Sequence, residues 1–332
     1  VNERLLARHR ARRAVRAFLD TRDYVEIEAP LLVVSPGLEP HLDAFEVPTG
    51  GPRRYLHTSP EYALKRLLGA GFERLYSLGP CFRDEPASVT HSPEFTMLEW
   101  YRVGLDLPGL MDETEQLVAE ACRAVHGGTR AGALDLGPPF ERLSVRAAFR
   151  RHANGLDPWV HETPGGLTNA ARACGLRVSG DAERWDDVFF QIFLNHVEPA
   201  LEAGPPVFLH GYPASQAALS RLDPADPTTA LRFELYAGGF ELANAFDELI
   251  DPAEQRRRFL ADQAARRLAG SQVPPIDEAL IEALGHMRPT SGIALGFDRL
   301  CMLLTGATRI DDVRPQPWHA PVTLGGSGGG RG

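Results

Sequence analysis

The segment FELYAGGFELANAFDE carries three glutamates at intervals of seven, Glu234, Glu241 and Glu248, on two β-prone arms joined by Ala-Gly-Gly. No other stretch constrains the chain as much. Ala-Gly-Gly between such arms is a hairpin signal. With Ala237-Gly238 as the two-residue turn, Glu234 and Glu241 stand directly opposite each other. Like charges so placed repel unless a divalent cation lies between them and takes both as oxygen ligands, which points to magnesium held against a triphosphate. With Gly-Gly as the turn, the register slips and Glu234 faces solvent. Parity also sets Asn244, Phe246 and Glu248 on the face opposite Glu241, so aiming all four into one pocket requires a bulge or a bend.

Three other segments carry candidate chemistry. In CFRDE, strand alternation puts Arg83 and Glu85 on one face and Phe82 and Asp84 on the other. In HSPEFTMLEWY the same parity aligns Phe95, Met97, Glu99 and Tyr101, a base platform beside an ammonium pocket. The bland alternative for both is a pair of edge strands with a solvated salt bridge. SGIALGFDRLCMLLTG reads as an apolar strand, Gly296, and a helix whose first turn holds Arg299 and whose buried face includes Leu300, Leu303 and Leu304. Arg299 can stack on a nucleobase or bind phosphate; alternatively it is a structural arginine paired near Asp298.

The surrounding chain reads as α/β (α+β) without internal repeats. Ala7, Ala11, Ala14, Val15, Phe18 and Leu19 recur at helical spacing over Glu3 to Asp20, leaving the arginines to face solvent. RDYVEIEAP follows as a half-buried strand stopped by Pro30. TSPEYALKRLLGAG is a helix ending near Gly69 and Gly71, and residues 107–203 are mostly helical. PPVFLHGYP opens a second strand region. Asp251, Pro252 and Glu254 read as N-cap, first-turn proline and capping-box glutamate of a helix running to Gly270. We expect one catalytic domain over 1–323 and a low-complexity tail over 324–332.

Composition narrows the partners. The chain has 332 residues, is 43% hydrophobic and carries a net charge of −9, which disfavours nucleic acid as a main partner. Cys81, Cys122, Cys174 and Cys301 are too dispersed to suggest a zinc site or a disulfide framework. No run of about 18 apolar residues offers a membrane span, so the expectation is a cytoplasmic protein in a reducing compartment.

A helix with a Pro-terminated strand, then F-R-x-E, then G-F-D-R-L resembles motifs 1, 2 and 3 of class II aminoacyl-tRNA synthetases, over nearly the whole chain. TSPEYALKRLL, HSPEFTMLEWY and GFELANAFDEL are similar to the lysyl branch; the Asp and Asn enzymes lack this glutamate pattern. The resemblance implies an antiparallel six-stranded sheet flanked by helices, ATP and Mg2+ as cofactors, and a homodimer. By position it implies Arg83 on the α-phosphate and amino-acid carboxylate, and Glu85 and His91 on ATP. Phe95 and Arg299 would sandwich adenine, with Arg83 and Arg299 the catalytic pair. Asp84, Ser92, Leu242 and Gly296 would also touch the nucleotide, and Glu234 and Glu241 would hold magnesium. Glu61, flanked by Ser59 and Pro60, would hold one amino group, while Glu99, Tyr101, Asn244 and Glu248 would bind the distal ammonium.

The core's first helix begins within the first few residues, so no anticodon-binding domain is expected. With YPASQAAL and ALGFDR, that layout resembles the synthetase paralogues that attach lysine or (R)-β-lysine to a lysine of elongation factor P, with no tRNA partner expected. A minimal lysyl-tRNA synthetase and a non-catalytic paralogue are the alternatives. Ala294 replaces a glycine of the tRNA enzymes, and its methyl would reshape the pocket near the amino group. Departures from the family pattern are Asp84 for asparagine, Ser92 for asparagine and Thr90 for an arginine or large aromatic. The apolar strand usual after the third motif is missing from RIDDVRPQPWHA.

Overall fold

The structure, a computed structural model, describes residues 2–179 and 182–318. The expected tail over 324–332 lies outside the described residues. Asn2 caps the first helix, α1 (Glu3–Asp20), by accepting from the backbone N–H groups of Arg4 and Leu5. Ala7, Ala11, Val15, Phe18 and Leu19 are its buried residues, as their spacing predicts. Its arginines do not all face solvent. Arg8 reaches inward to Asp298 and Thr96, and Arg12 donates to the carbonyl of Leu78.

An eight-stranded sheet forms the body: β1 (Val25–Glu26), β2 (Arg74–Phe82), β3 (Glu94–Val103), β4 (Glu141–Ser144), β5 (Val207–Pro213), β6 (Thr229–Ala237), β7 (Phe240–Asp247) and β8 (Thr290–Gly296). Their spatial order is β1-β2-β3-β8-β7-β6-β5-β4. The inner six strands pair antiparallel throughout. The expectation of six is therefore corrected to eight, because β1 and β4 add one parallel strand at each edge. β1 is two residues long and Val25 is 47% exposed, so the half-buried alternation expected there is absent; Tyr24 is the buried side chain.

One sheet face carries Leu98, Trp100, Phe233, Ala243, Ala245, Ile293 and Leu295 into the main core beneath α1, α3 (Leu107–His126) and the last helix, Phe297–Thr305. The short helices Val145–His152, Pro164–Ala173, Trp185–Ile192 and Glu198–Glu202 pack on β4 and β5 in a second core. The helix Pro252–Ala269 starts at Asp251, whose side chain accepts from the N–H groups of Ala253 and Glu254, and ends at left-handed Gly270. Glu254 does not complete a capping box; its carboxylate holds Arg257 and Arg258 instead. With one face sealed, the opposite face of the inner strands is left to form a site.

Candidate active site

Above that face lies a cavity of about 620 Å³. Phe95, Met97, Glu99 and Tyr101 of β3 all line it, as strand parity predicts. Register carries the same face across the sheet: Ala294 pairs with Glu99 on one side and Asn244 on the other, and Gly292 pairs with Tyr101 and Phe246.

The hairpin differs from the Ala237-Gly238 reading. Ala237 pairs with Phe240, so Gly238-Gly239 is the turn. Both glycines have positive φ, 62° and 87°, as a tight hairpin turn of this twist requires, and an alanine at the first position would be strained. Glu234 consequently faces Asn244, not Glu241. It does not turn to solvent either, being 6% exposed. A bulge reconciles the parities: Leu235 pairs with Ala243 and Tyr236 with Glu241, leaving Leu242 as the extra residue. This one-residue insertion brings Glu241 onto the same side as Glu234, Asn244, Phe246 and Glu248, and all five line the cavity.

At one end, carboxylates gather around small groups. Glu99 is 1% exposed and accepts from Ser59 Oγ at 2.7 Å and Tyr101 Oη at 2.6 Å. Ser59 Oγ in turn accepts from the backbone N–H of Glu61, at the start of α2 (Glu61–Gly69). Lys65 Nζ lies 2.5 Å from Glu61 and 2.5 Å from Glu248. Burial, followed by the charge of Glu61, pushes Glu99 up to about 8. Burial also pushes Glu248 up to about 8, against the opposing pull of Lys65. Glu248 Oε1 has no hydrogen-bond partner among the described residues, a free acceptor aimed at whatever enters. Pro60 caps α2 without lining the cavity.

The other end is cationic. Arg83 and Glu85 lie just past the end of β2 rather than on it, yet both line the cavity. Arg83 stands over the Phe95 ring at 5.0 Å. Arg299 does not pair with Asp298, which is held by Arg8 and the N–H of Thr96. It donates instead to the Glu241 carbonyl and to His91 Nε2, each at 2.7 Å. A guanidinium can only donate, so His91 Nε2 is bare and Nδ1–H faces Ser88 and Thr90. Burial and then Arg299 keep the His91 pKa low, consistent with a neutral ring. Asp84 does not line the cavity; its N–H donates to the Asp43 carbonyl.

Ser92 and Ile310 explain how the departures are accommodated. The segment after the last helix forms a turn of 3-10 helix, Ile310–Val313, instead of a strand. Ile310 N–H bonds the Val89 carbonyl, and Arg314 holds Ser92 Oγ and the Glu94 carbonyl. The loop carrying His91 is thus pinned from the C-terminal side.

Glu234 and Glu241 are candidates for a metal. Glu234 accepts from Tyr212 and Tyr236 at 2.5 and 2.7 Å and pairs with Arg232. Burial, then Glu234, pushes Glu241 up to about 7, against the opposing pull of Arg299, Arg232 and Arg83. Among the described residues no cluster of three or more His, Cys, Asp or Glu could hold a metal. Magnesium typically takes one or two carboxylates together with substrate phosphates, and Glu241, whose carboxylate makes no hydrogen bond or ion pair among the described residues, fits that role, whereas both Glu234 oxygens are engaged by Tyr212, Tyr236 and Arg232. Sequence reasoning passed over Lys65, Arg232, Glu39 and Arg314. Position gives a signal for two of them: Lys65 is one helical turn from Glu61, and Arg232 shares strand parity with Glu234.

A family model described as class II tRNA synthetases (D, K and N) matches residues 1–319. The chain belongs to this family. As a class II synthetase-type ligase it uses ATP to activate an amino acid. Among this family's members, it is 39% identical to the elongation factor P–(R)-β-lysine ligase of Hamiltonella defensa, over 94% of each chain. The ligase of the same name from Vibrio cholerae is 39% identical over 92% of each chain. The lysine–tRNA ligase of a Synechococcus strain is 37% identical over 92% of this chain and 62% of its own length.

Proposed function

We propose that this ligase activates a diamino acid of the lysine type, (R)-β-lysine in preference to α-lysine, and transfers it to a lysine side chain of elongation factor P. The observation that carries the reading is the group formed by buried Glu99 and Glu248 with half-buried Glu61 at one end of the cavity, opposite Arg83 and Arg299. The ammonium groups go to the carboxylates, with Asn244 and Tyr101 beside them. The substrate carboxylate then faces Arg83 and the α-phosphate of ATP. Ala294 supports the β-isomer: its methyl lies between Glu99 and Asn244 in the sheet, on the wall where the amino group would lie.

Chemistry requires no protein nucleophile. The substrate carboxylate attacks the α-phosphorus and pyrophosphate leaves; an amine of the acceptor then attacks the mixed anhydride, loses a proton and displaces AMP. Arg83 and Arg299 orient the phosphates and stabilise the charge that develops on them, Phe95 and Arg299 enclose adenine, and neutral His91 fixes Arg299. Glu241 and Glu234 would hold magnesium, which when bound neutralises phosphate charge. Glu241→Gln is expected to abolish pyrophosphate exchange while leaving the melting temperature within a few degrees; a near-normal rate removes the metal assignment.

The raised carboxylates give a pH dependence. Glu99 and Glu248 ionise near pH 8 in the empty pocket, and only the ionised forms balance ammonium groups. The amino acid's KM should therefore fall by about tenfold or more as pH rises from about 6 to about 8, with a smaller change for ATP. Initial rates of exchange across that range check it.

No helix of the described residues is long and apolar enough to cross a membrane. Exposed Val25, Leu31, Leu32 and Val34 lie on and just after β1 and suit burial against a second copy. The acceptor is tested by intact mass of elongation factor P, beside acid-gel analysis of lysine tRNA, after incubation with ATP, magnesium and each isomer. A mass gain on the factor, largest with (R)-β-lysine, is the expected result. Charged tRNA with an unchanged factor would make this a minimal tRNA synthetase.

A further inference from the structure

Lys65 takes no part in the nucleotide or metal chemistry, yet it sits behind the carboxylate end, 1% exposed and in contact with two of the glutamates that line the cavity. A lysine is almost never fully buried unless paired. This one is paired twice, 2.5 Å from Glu61 one turn earlier on α2 and 2.5 Å from Glu248 just beyond β7. Burial alone disfavours its charge, but Glu248 and then Glu61 outweigh burial and hold its pKa above the ordinary lysine value.

The groups around it can be counted by element. Glu61 and Tyr62 come from α2, Glu99 and Tyr101 from β3, Glu248 from the end of β7, and Glu39 faces Glu61 and Arg83 from the loop before α2. Burial keeps both tyrosines as phenols. Burial and then Glu61 favour the neutral form of Glu39. Of the remainder, Glu61, Glu99 and Glu248, once all three are ionised to meet ammonium groups, leave two negative charges against the one ammonium of Lys65. A diamino acid brings two ammonium groups, and its carboxylate is met by Arg83. We propose that Lys65 is the pocket's resident counter-cation: it holds Glu61 and Glu248 in position in the empty enzyme, eases the ionisation of Glu248, and sets the residual charge that selects a doubly cationic amino acid. It is a positioning residue, acting through those two glutamates, and its role rests on the reading that they receive the substrate's ammonium groups.

Without Lys65, Glu248 loses the charge that opposes its burial and holds its proton to higher pH, a proton that substrate must then expel. Lys65→Met should raise the KM of the diamino acid by about tenfold near neutral pH and shift the pH profile of that KM upward by about one unit, leaving the KM of ATP near its original value. Lys65→Met combined with Glu61→Gln removes one charge of each sign and should bring the profile back toward its original position, although affinity stays low. A lysine that merely braces α2 would change stability and both KM values together, without moving the profile; an unshifted profile in Lys65→Met overturns the proposal. Should that variant not fold, Lys65→Arg keeps the charge and is expected to keep the profile, and a shift of about one unit there overturns the proposal equally. Absence of exchange with any diamino acid in the unaltered enzyme would instead remove the substrate reading itself.

Discussion

Glu248→Gln is expected to raise the KM of the diamino acid by about a hundredfold while leaving that of ATP near its original value, measured by pyrophosphate exchange with each substrate varied in turn. Glu248 is 1% exposed and its Oε1 is unpartnered among the described residues. An ammonium arriving there favours the ionised carboxylate, and the two pair at a side chain almost wholly buried. Removing one partner of such a buried pair costs about 3 kcal/mol or more, the equivalent of about two decades in affinity. The nucleotide end is built from Arg83, Phe95, His91 and Arg299, none of which contacts Glu248 by hydrogen bond or ion pair. A parallel rise in both KM values would mean that Glu248 supports the whole cavity rather than the ammonium.

Gly292→Ala should lower amino-acid-dependent exchange by about a hundredfold or more without abolishing ATP binding, since misplacing a reacting group by about 1 Å is already that costly. A methyl at Gly292 would come within 2.2 Å of Tyr101 Cε1 and 2.5 Å of Glu248 Oε1. Tyr101 Oη holds Glu99, so turning the ring aside would release a second carboxylate. Backbone strain is not the cause, because Gly292 does not have positive φ. The variant should bind an ATP analogue with unchanged affinity by calorimetry; normal exchange kinetics would mean that the pocket floor has more freedom than these distances allow.

Much of this arrangement is legible in the sequence because side-chain period and element period agree. The β3 residues Phe95, Met97, Glu99 and Tyr101 reach one cavity because a strand alternates strictly, and α1 buries its apolar stripe for the helical counterpart of the same reason. The hairpin was only half legible. Parity demands a bulge somewhere between Glu241 and Glu248, but its place at Leu242 depends on which residues can take positive φ in the turn, and Gly238-Gly239 satisfies that where Ala237 does not. Lys65 is hidden for another reason. A lysine in a helix normally reads as solvent-facing, and only the tertiary approach of Glu248, 183 positions further on, turns it into a buried ion. Likewise, Arg314 and Ile310 show no local signal for pinning the His91 loop, since that contact belongs to the way the chain closes on itself.

Amino-acid-dependent exchange of pyrophosphate into ATP, compared for (R)-β-lysine, α-lysine and norleucine, tests the central claim most directly. Norleucine keeps the length of lysine but lacks the distal ammonium. Exchange with both lysine isomers, stronger with the β-isomer, and none with norleucine is the result predicted by a pocket lined with Glu61, Glu99 and Glu248. Exchange with norleucine at a comparable rate, or no exchange with either isomer, would contradict it.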